Sequence, residues 1–194
     1  MATSPSDSPQ NNIHGQQQYQ VRFDWGMAGA DVIAGGADVV VLVDVLEAGD
    51  SDRILESLDG VPATVVVGSL RNRSAVARWA LERQGGKGDR FMVAVVAAGE
   101  ERADGSIRFA LEDLLGAGAV IDALAEVGID YCSPEAAAAA AAFTGLRNAT
   151  GHLIGASASG RERAAAGHRA DIDLAIEVDA SEAVPVLREF APRA

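Results

Sequence analysis

The sequence predicts an α/β fold of three layers, a mostly parallel sheet with helices on both faces, formed by a single domain over residues 19–194. Three observations lead there. Short runs such as VVVLVDVL (39–46), TVVVG (64–68) and FMVAVVAA (91–98) are apolar at nearly every position, as strands covered on both faces require. Segments of helical length separate them, and strands alternating with helices imply parallel pairing. Aromatic residues make up only 5% of the chain against 48% hydrophobic residues overall, so Val, Leu, Ile and Ala must build the core.

The elements follow in order. Met1 to Gln18 is rich in Ser, Pro, Asn and Gln and reads as a disordered tail. Val21, Phe23 and Trp25 alternate with Arg22 and Asp24, the period of a strand with one buried face. Gly26 to Gly36 reads as a small-residue helix lying close on a sheet, and Asp38 to Leu46 as the first buried strand. Ser51 to Leu58 is a short helix with Ser51 available as its cap. Thr64 to Gly68 is the second buried strand. Asn72 can cap a helix running to about Gln84, with Ala75, Val76, Trp79 and Ala80 on one face, and Gly85 to Gly88 reads as a turn. Phe91 to Ala98 is the third buried strand. Asp104-Gly105 is a hairpin signal, Ala110 to Val127 a long helix, and Ser133-Pro134 a capped helix start. His152 to Ala156 reads as a short strand or loop, Ser159-Gly160-Arg161 opens a short helix, and Asp171 to Ile176 belongs to another. Val184 to Leu187 is a last short strand.

Charge and composition narrow the function. A formal net charge of −12 opposes binding to nucleic-acid backbones, and a site for an anion would need a metal ion or converging Arg and N–H groups. Cys132 is the one cysteine, which excludes an internal disulfide and Cys-rich zinc sites. His14, His152 and His168 are far apart in sequence and read as surface or loop residues. No stretch reaches the ~18 apolar residues of a membrane span; Ala136 to Phe143 is too short. The N-terminus lacks a signal-peptide pattern, so a cytoplasmic location is expected. Oligomeric state is left open, a homo-oligomer included.

In open α/β sheets ligands bind at the carboxyl ends of the strands. That rule selects Asp44 after the first buried strand, Ser69, Arg71 and Asn72 after the second, and Glu100 after the third. Asp44, inside an apolar run, is costly unless hydrogen-bonded, paired or metal-bound; it reads as a loop cap or as a metal ligand or nucleophile. Glu100 reads as a solvated turn residue or a ligand. Glu112 and Asp113 complement a helix dipole or join a site. Asp44, Glu100 and Asp113 together offer the hard oxygen ligands that suit Mg²⁺. The segment ASASGRE, with Ser157, Ser159, Gly160 and Arg161, reads as a phosphate-holding turn or as an ordinary cap followed by a solvated Arg. P-loop, dinucleotide, GxSxG and HExxH patterns are absent.

The ordered series VRFDWGMAGAD, VVVLVDVL, VVVGSLRNRSAVARWA, VVAAGEERADGSIRFALEDLLGAGAVIDAL and ASASGRERAAAGHRADIDLAIEVDASEAVPVL resembles the 2-phosphosulfolactate phosphatase family, from about Gln20 to Leu187. The resemblance implies a Mg²⁺-dependent acid phosphatase whose namesake reaction releases phosphate from 2-phosphosulfolactate, a step of coenzyme M biosynthesis. By position, Asp44 matches the family's strand-end aspartate and Asn72 the asparagine before its AVA helix. Glu100, Glu112 and Asp113 match its GE and ED motifs, and Ser159, Gly160 and Arg161 its SGR turn. Asp44 is then the catalytic residue and, with Glu100 and Asp113, a metal ligand. Arg71, Asn72, Ser159, Gly160 and Arg161 hold a small anionic phosphorylated substrate, Arg71 taking a second anionic group such as a sulfonate. Two departures stand out. Glu47, Ala48, Gly49 and Asp50 replace a Ser/Thr-rich helix start, and only Ser51 to Ala63 stands where the family has further strand–helix material with a Ser-Pro-Asn-Gly-type motif. Two other readings follow: a relative that binds an anionic metabolite or a protein partner without turnover, and a different α/β enzyme alike in architecture alone.

Overall fold

A computed structural model describes residues 13–47 and 51–190. The elements are β1 (Val21–Trp25), α1 (Gly26–Ile33), β2 (Val39–Val43), α2 (Ser51–Ser57), β3 (Thr64–Gly68), α3 (Arg73–Lys87), β4 (Val93–Ala97), β5 (Glu100–Glu101), β6 (Ile107–Arg108), α4 (Leu111–Glu126), α5 (Pro134–Leu146), α6 (Thr150–Ala156), α7 (Ala158–Ala165), α8 (Arg169–Ala175) and β7 (Val186–Arg188). The main sheet runs β1-β4-β2-β3-β7. Its first four strands are parallel and β7 is antiparallel at the edge. The three-layer α/β class read from the sequence is the observed one.

Side chains alternate across a strand, so each buried strand feeds two cores. Val39, Val41, Val43, Val93 and Val95 meet α3, α4 and α5 on one face. Val40, Leu42, Val65, Ala94 and Val96 meet α1 and α2 on the other. The level register of β2 with β3 and β4, Val43 opposite Gly68 and Ala97, brings the exits of these three strands to one end of the sheet. That end is where Asp44, Ser69 and Glu100 leave it.

Helix α4 packs on α5 at Gly118, where an added Cβ would lie 2.1 Å from the Ala139 carbonyl oxygen. Backbone on both sides leaves no soft atom to move. Gly118→Ala is expected to cost about 1–3 kcal/mol or more by overpacking, read as a lower urea midpoint at unchanged slope; an unshifted midpoint would show the two helices free to separate.

Several boundaries differ from the sequence reading. Ordered structure begins by Ile13, not Tyr19: Ile13–Gly15 is a 3-10 turn, and buried Gln16 exchanges two hydrogen bonds with the Phe23 backbone, at 2.9 and 3.0 Å. The start of the expected tail, residues 1–12, lies outside the described residues. Arg22, 2% exposed, sits in the core and donates to the carbonyls of Tyr19, Ile33 and Gly35. Its burial lowers its pKa, and the carbonyls ending α1 take the place of a carboxylate partner.

The expected turn at Gly85 to Gly88 is helical as far as Lys87. Lys87 pairs with Asp38 at 2.8 Å, which holds the last turn, and Gly88, at φ 71°, closes it with a bond to the Gln84 carbonyl. His152 to Ala156 is helix α6, not strand or loop; Ile154 is fully buried among the residues of the larger core, so packing decided where the local pattern was ambiguous. The Ser133 cap forms as expected, accepting from the Ala136 N–H, with Pro134 in the first turn.

Candidate active site

The ends of β2 and β3 open on a cavity of about 360 Å³. Its wall includes Asp44, Ser69, Arg71, Arg163, Asp171 and Leu174. Asp44 also borders a second hollow of about 590 Å³, with Ser51, Arg53 and Leu187. The Ser51 hydroxyl, in the first turn of α2, donates to Asp44 Oδ2 at 2.8 Å. The strand-end aspartate is therefore partly buried, held in place and accessible from the cavity.

Beneath it lies Asp113, in the first turn of α4 and 3% exposed. Its Oδ1 accepts from the Val45 N–H at 2.8 Å and its Oδ2 from the Gly99 N–H at 2.9 Å. One carboxyl thus clamps the chains leaving β2 and β4, neighbours in the sheet. Burial first, then the charge of Asp44, pushes its pKa up to about 8 against the opposing pull of the two N–H groups. Glu112 beside it is 2% exposed, and its Oε2 is buried without a hydrogen-bond partner.

Glu100 is neutralised by Arg108, its cross-strand partner in the β5–β6 hairpin, and this bond raises the Arg108 pKa. Arg108 also donates to the Ser159 hydroxyl at 2.8 Å. The GE and SGR segments are therefore joined, but through an arginine the sequence reading passed over. The signal was present: a turn at Asp104-Gly105 puts residue 108 opposite residue 100, an opposite-charge pair.

The remaining sequence candidates divide. Arg71 lines the cavity. Asn72 does not: its Oδ1 accepts from the Ser69 N–H and hydroxyl, and its Nδ2 donates to Val67 and Ala183 carbonyls, each at 2.8–3.1 Å. Its amide is saturated, so it builds the turn after β3. Ser159 is buried and bonded to Arg108. The Gly160 N–H is taken by the Ser157 hydroxyl that caps α7, and its missing Cβ admits the Ile154 carbonyl, 2.1 Å from where that atom would stand. Arg161 is exposed and lies outside the cavity wall. The cavity instead receives Arg163, one helical turn beyond buried Ser159 and so on the same face.

The carboxylate shell expected for Mg²⁺ is not assembled as read. Among the described residues no group of three or more His, Cys, Asp or Glu could hold a metal ion. Asp113 has both oxygens occupied by backbone N–H groups, and Glu100 is paired with Arg108. The cavity wall carries Asp44, with Glu47 and Asp171. One carboxylate still suits Mg²⁺, which keeps several waters and is commonly held by one or two carboxylates plus substrate phosphate oxygens.

Comparison with known proteins decides the family. The model of the 2-phosphosulpholactate phosphatase family matches residues 50–189, well over half of the chain. The chain belongs to the 2-phosphosulpholactate phosphatase family. The match takes in Arg71, Glu100, Asp113 and the α7–α8 segment with Arg163, while Asp44 lies just before it. The search of curated proteins returned no match. The family name carries phosphatase chemistry at the level of a phosphoric monoester hydrolase. The acidic segment Glu47 to Asp50 falls largely outside the described residues; Glu47 itself is exposed, with φ 48°. Among the described residues no helix is long and apolar enough to cross a membrane.

Proposed function

We propose that this chain is a Mg²⁺-dependent cytoplasmic phosphatase of a small phosphorylated acid, with 2-phosphosulfolactate as the model substrate. The observation that carries the reading is the cavity that joins Asp44 to two guanidinium groups, Arg71 and Arg163, at the carboxyl ends of β2 and β3. Asp44, oriented by Ser51, would hold Mg²⁺. The ion would supply charge neutralisation at the phosphoryl oxygens. Arg71 and Arg163 bind anionic oxygens, offsetting the acidic surroundings. Ser69, whose hydroxyl is fixed by Asn72, lines the same wall and orients the bound group. Asp113 keeps the β2 and β4 exits in register beneath Asp44. The test is phosphate release from phospholactate-type and generic phosphomonoesters, with and without Mg²⁺. Metal-dependent release is expected; a folded protein that releases none overturns the reading.

One observation favours a second reading, a relative that binds an anionic metabolite without turnover: Glu100 and Asp113 are both occupied by protein partners. On that reading a phosphorylated acid raises the melting temperature and is recovered unchanged.

A further inference from the structure

Each arginine of the Asp44 cavity rests on an acid of the α8 segment. Arg163 Nη1 donates to Asp171 Oδ2 at 2.9 Å, in the first turn of α8. Arg71 Nη2 lies 3.4 Å from Glu177 Oε2, just beyond the end of α8. Arg163 also donates through Nη2 to the buried Leu46 carbonyl, on the loop that leaves Asp44. A guanidinium has five N–H donors in a planar fork, and these contacts use only part of the fork on Arg163. The Arg71 Nε is buried with no partner at all. The cavity therefore presents two separately anchored cations, each balanced by a carboxylate that a bound anion can replace.

We infer that Arg163 is the specificity-determining residue of this cavity, receiving an acidic group of the substrate distinct from its phosphate, with Asp171 as the counter-ion that holds the guanidinium ready. The inference rests on the phosphatase reading for its substrate and assigns the residue that distinguishes a phosphorylated acid from a plain phosphomonoester. Two cations on one wall match two anionic groups on one small molecule, since a single phosphate would leave one guanidinium on its internal partner. The Leu46 contact ties the same side chain to the Asp44 loop, so an acid seated on Arg163 sits at a fixed distance from the reacting end.

The test uses two probes of equal carbon number: 2-phosphoglycolate, which carries a carboxylate, and ethyl phosphate, which does not. Phosphate release with Mg²⁺ gives turnover, and the probe-dependent rise in melting temperature gives binding. Arg163→Gln is expected to raise KM for 2-phosphoglycolate about 10- to 100-fold, the worth of a charge-assisted hydrogen bond, with kcat little changed. KM for ethyl phosphate should rise far less, so that discrimination between the two probes is lost. Arg163→Lys should restore part of the discrimination, and Asp171→Asn should lower KM for 2-phosphoglycolate by removing the competing carboxylate. An equal loss for both probes, or no loss for either, overturns the assignment while leaving the phosphatase reading intact. If neither probe is hydrolysed but Arg163→Gln abolishes the melting shift given by 2-phosphoglycolate alone, the phosphatase reading falls and the role of Arg163 stands.

Discussion

Asp44→Asn is expected to lower Mg²⁺-dependent phosphate release roughly 100- to 1000-fold, the usual cost of removing one preorganised electrostatic group, and to leave the fold intact. The amide has the shape of the carboxylate and keeps an oxygen for the Ser51 hydroxyl. What disappears is the charge that would hold the metal ion and, with it, the charge that helps to raise the Asp113 pKa. The variant should therefore be as stable as the wild type at pH 5 and slightly more stable near pH 8. Phosphate release across a Mg²⁺ titration, with urea unfolding at both pH values, checks both parts. Undiminished release would remove Asp44 from the chemistry, and a destabilised variant would make it a structural residue.

Asp113→Asn is expected to lower stability by an amount that depends on pH. An amide can accept from only one of the two N–H groups that Asp113 now binds; its NH₂ would face the Val45 or the Gly99 N–H, donor against donor. A buried donor left unsatisfied costs about 1–3 kcal/mol. The sign of the pH dependence follows from linkage. The folded pKa of about 8 lies above the ordinary carboxyl value of 3.8, so between these values the folded protein holds a proton that the unfolded chain has released. The contribution of this group is thus fully favourable below about pH 4 and is lost as pH rises through 8. The variant lacks that titration. Its deficit relative to the wild type should be largest at about pH 4 and shrink as pH rises toward 9. A deficit independent of pH would mean that Asp113 is already ionised across this range in the folded protein.

The scaffold was legible because its signals are local. A β-branched run with no polar face must be covered twice, and covering needs helices on both sides; Val39 to Val43 and Val93 to Ala97 obey this at every position. The hairpin at Asp104-Gly105 and the Ser133-Pro134 helix start were readable for the same reason. The site was legible only in outline. Asp44 and Arg71 were found because strand ends are readable and ligands gather there. Gly160 fulfils the ordinary-cap reading of its segment, while the bonds of Asn72 to Ala183 and of Ser159 to Arg108 join distant residues, which no local pattern reports. The SGR pattern points to Arg161, whose helical phase faces solvent, and carries no signal for Arg163 two residues on.

The sequence by itself determined the three-layer α/β class, the strand-end positions of the candidate acids and the family. Hydrophobic periodicity and motif order are properties of neighbouring residues, and they survive without knowledge of what packs where. The tertiary structure decided which polar groups are spent and which remain. Asp113 became a clamp because β2 and β4 are adjacent in the sheet although separated in sequence. Glu100 became an ion-pair partner because a hairpin folds Arg108 back on it. Arg163 reached the cavity because α7 packs with buried Ser159 turned inward. For Asp113 and Arg163 hydrogen bonds between residues far apart in the chain fixed the role, and for Glu100 an ion pair across a hairpin did.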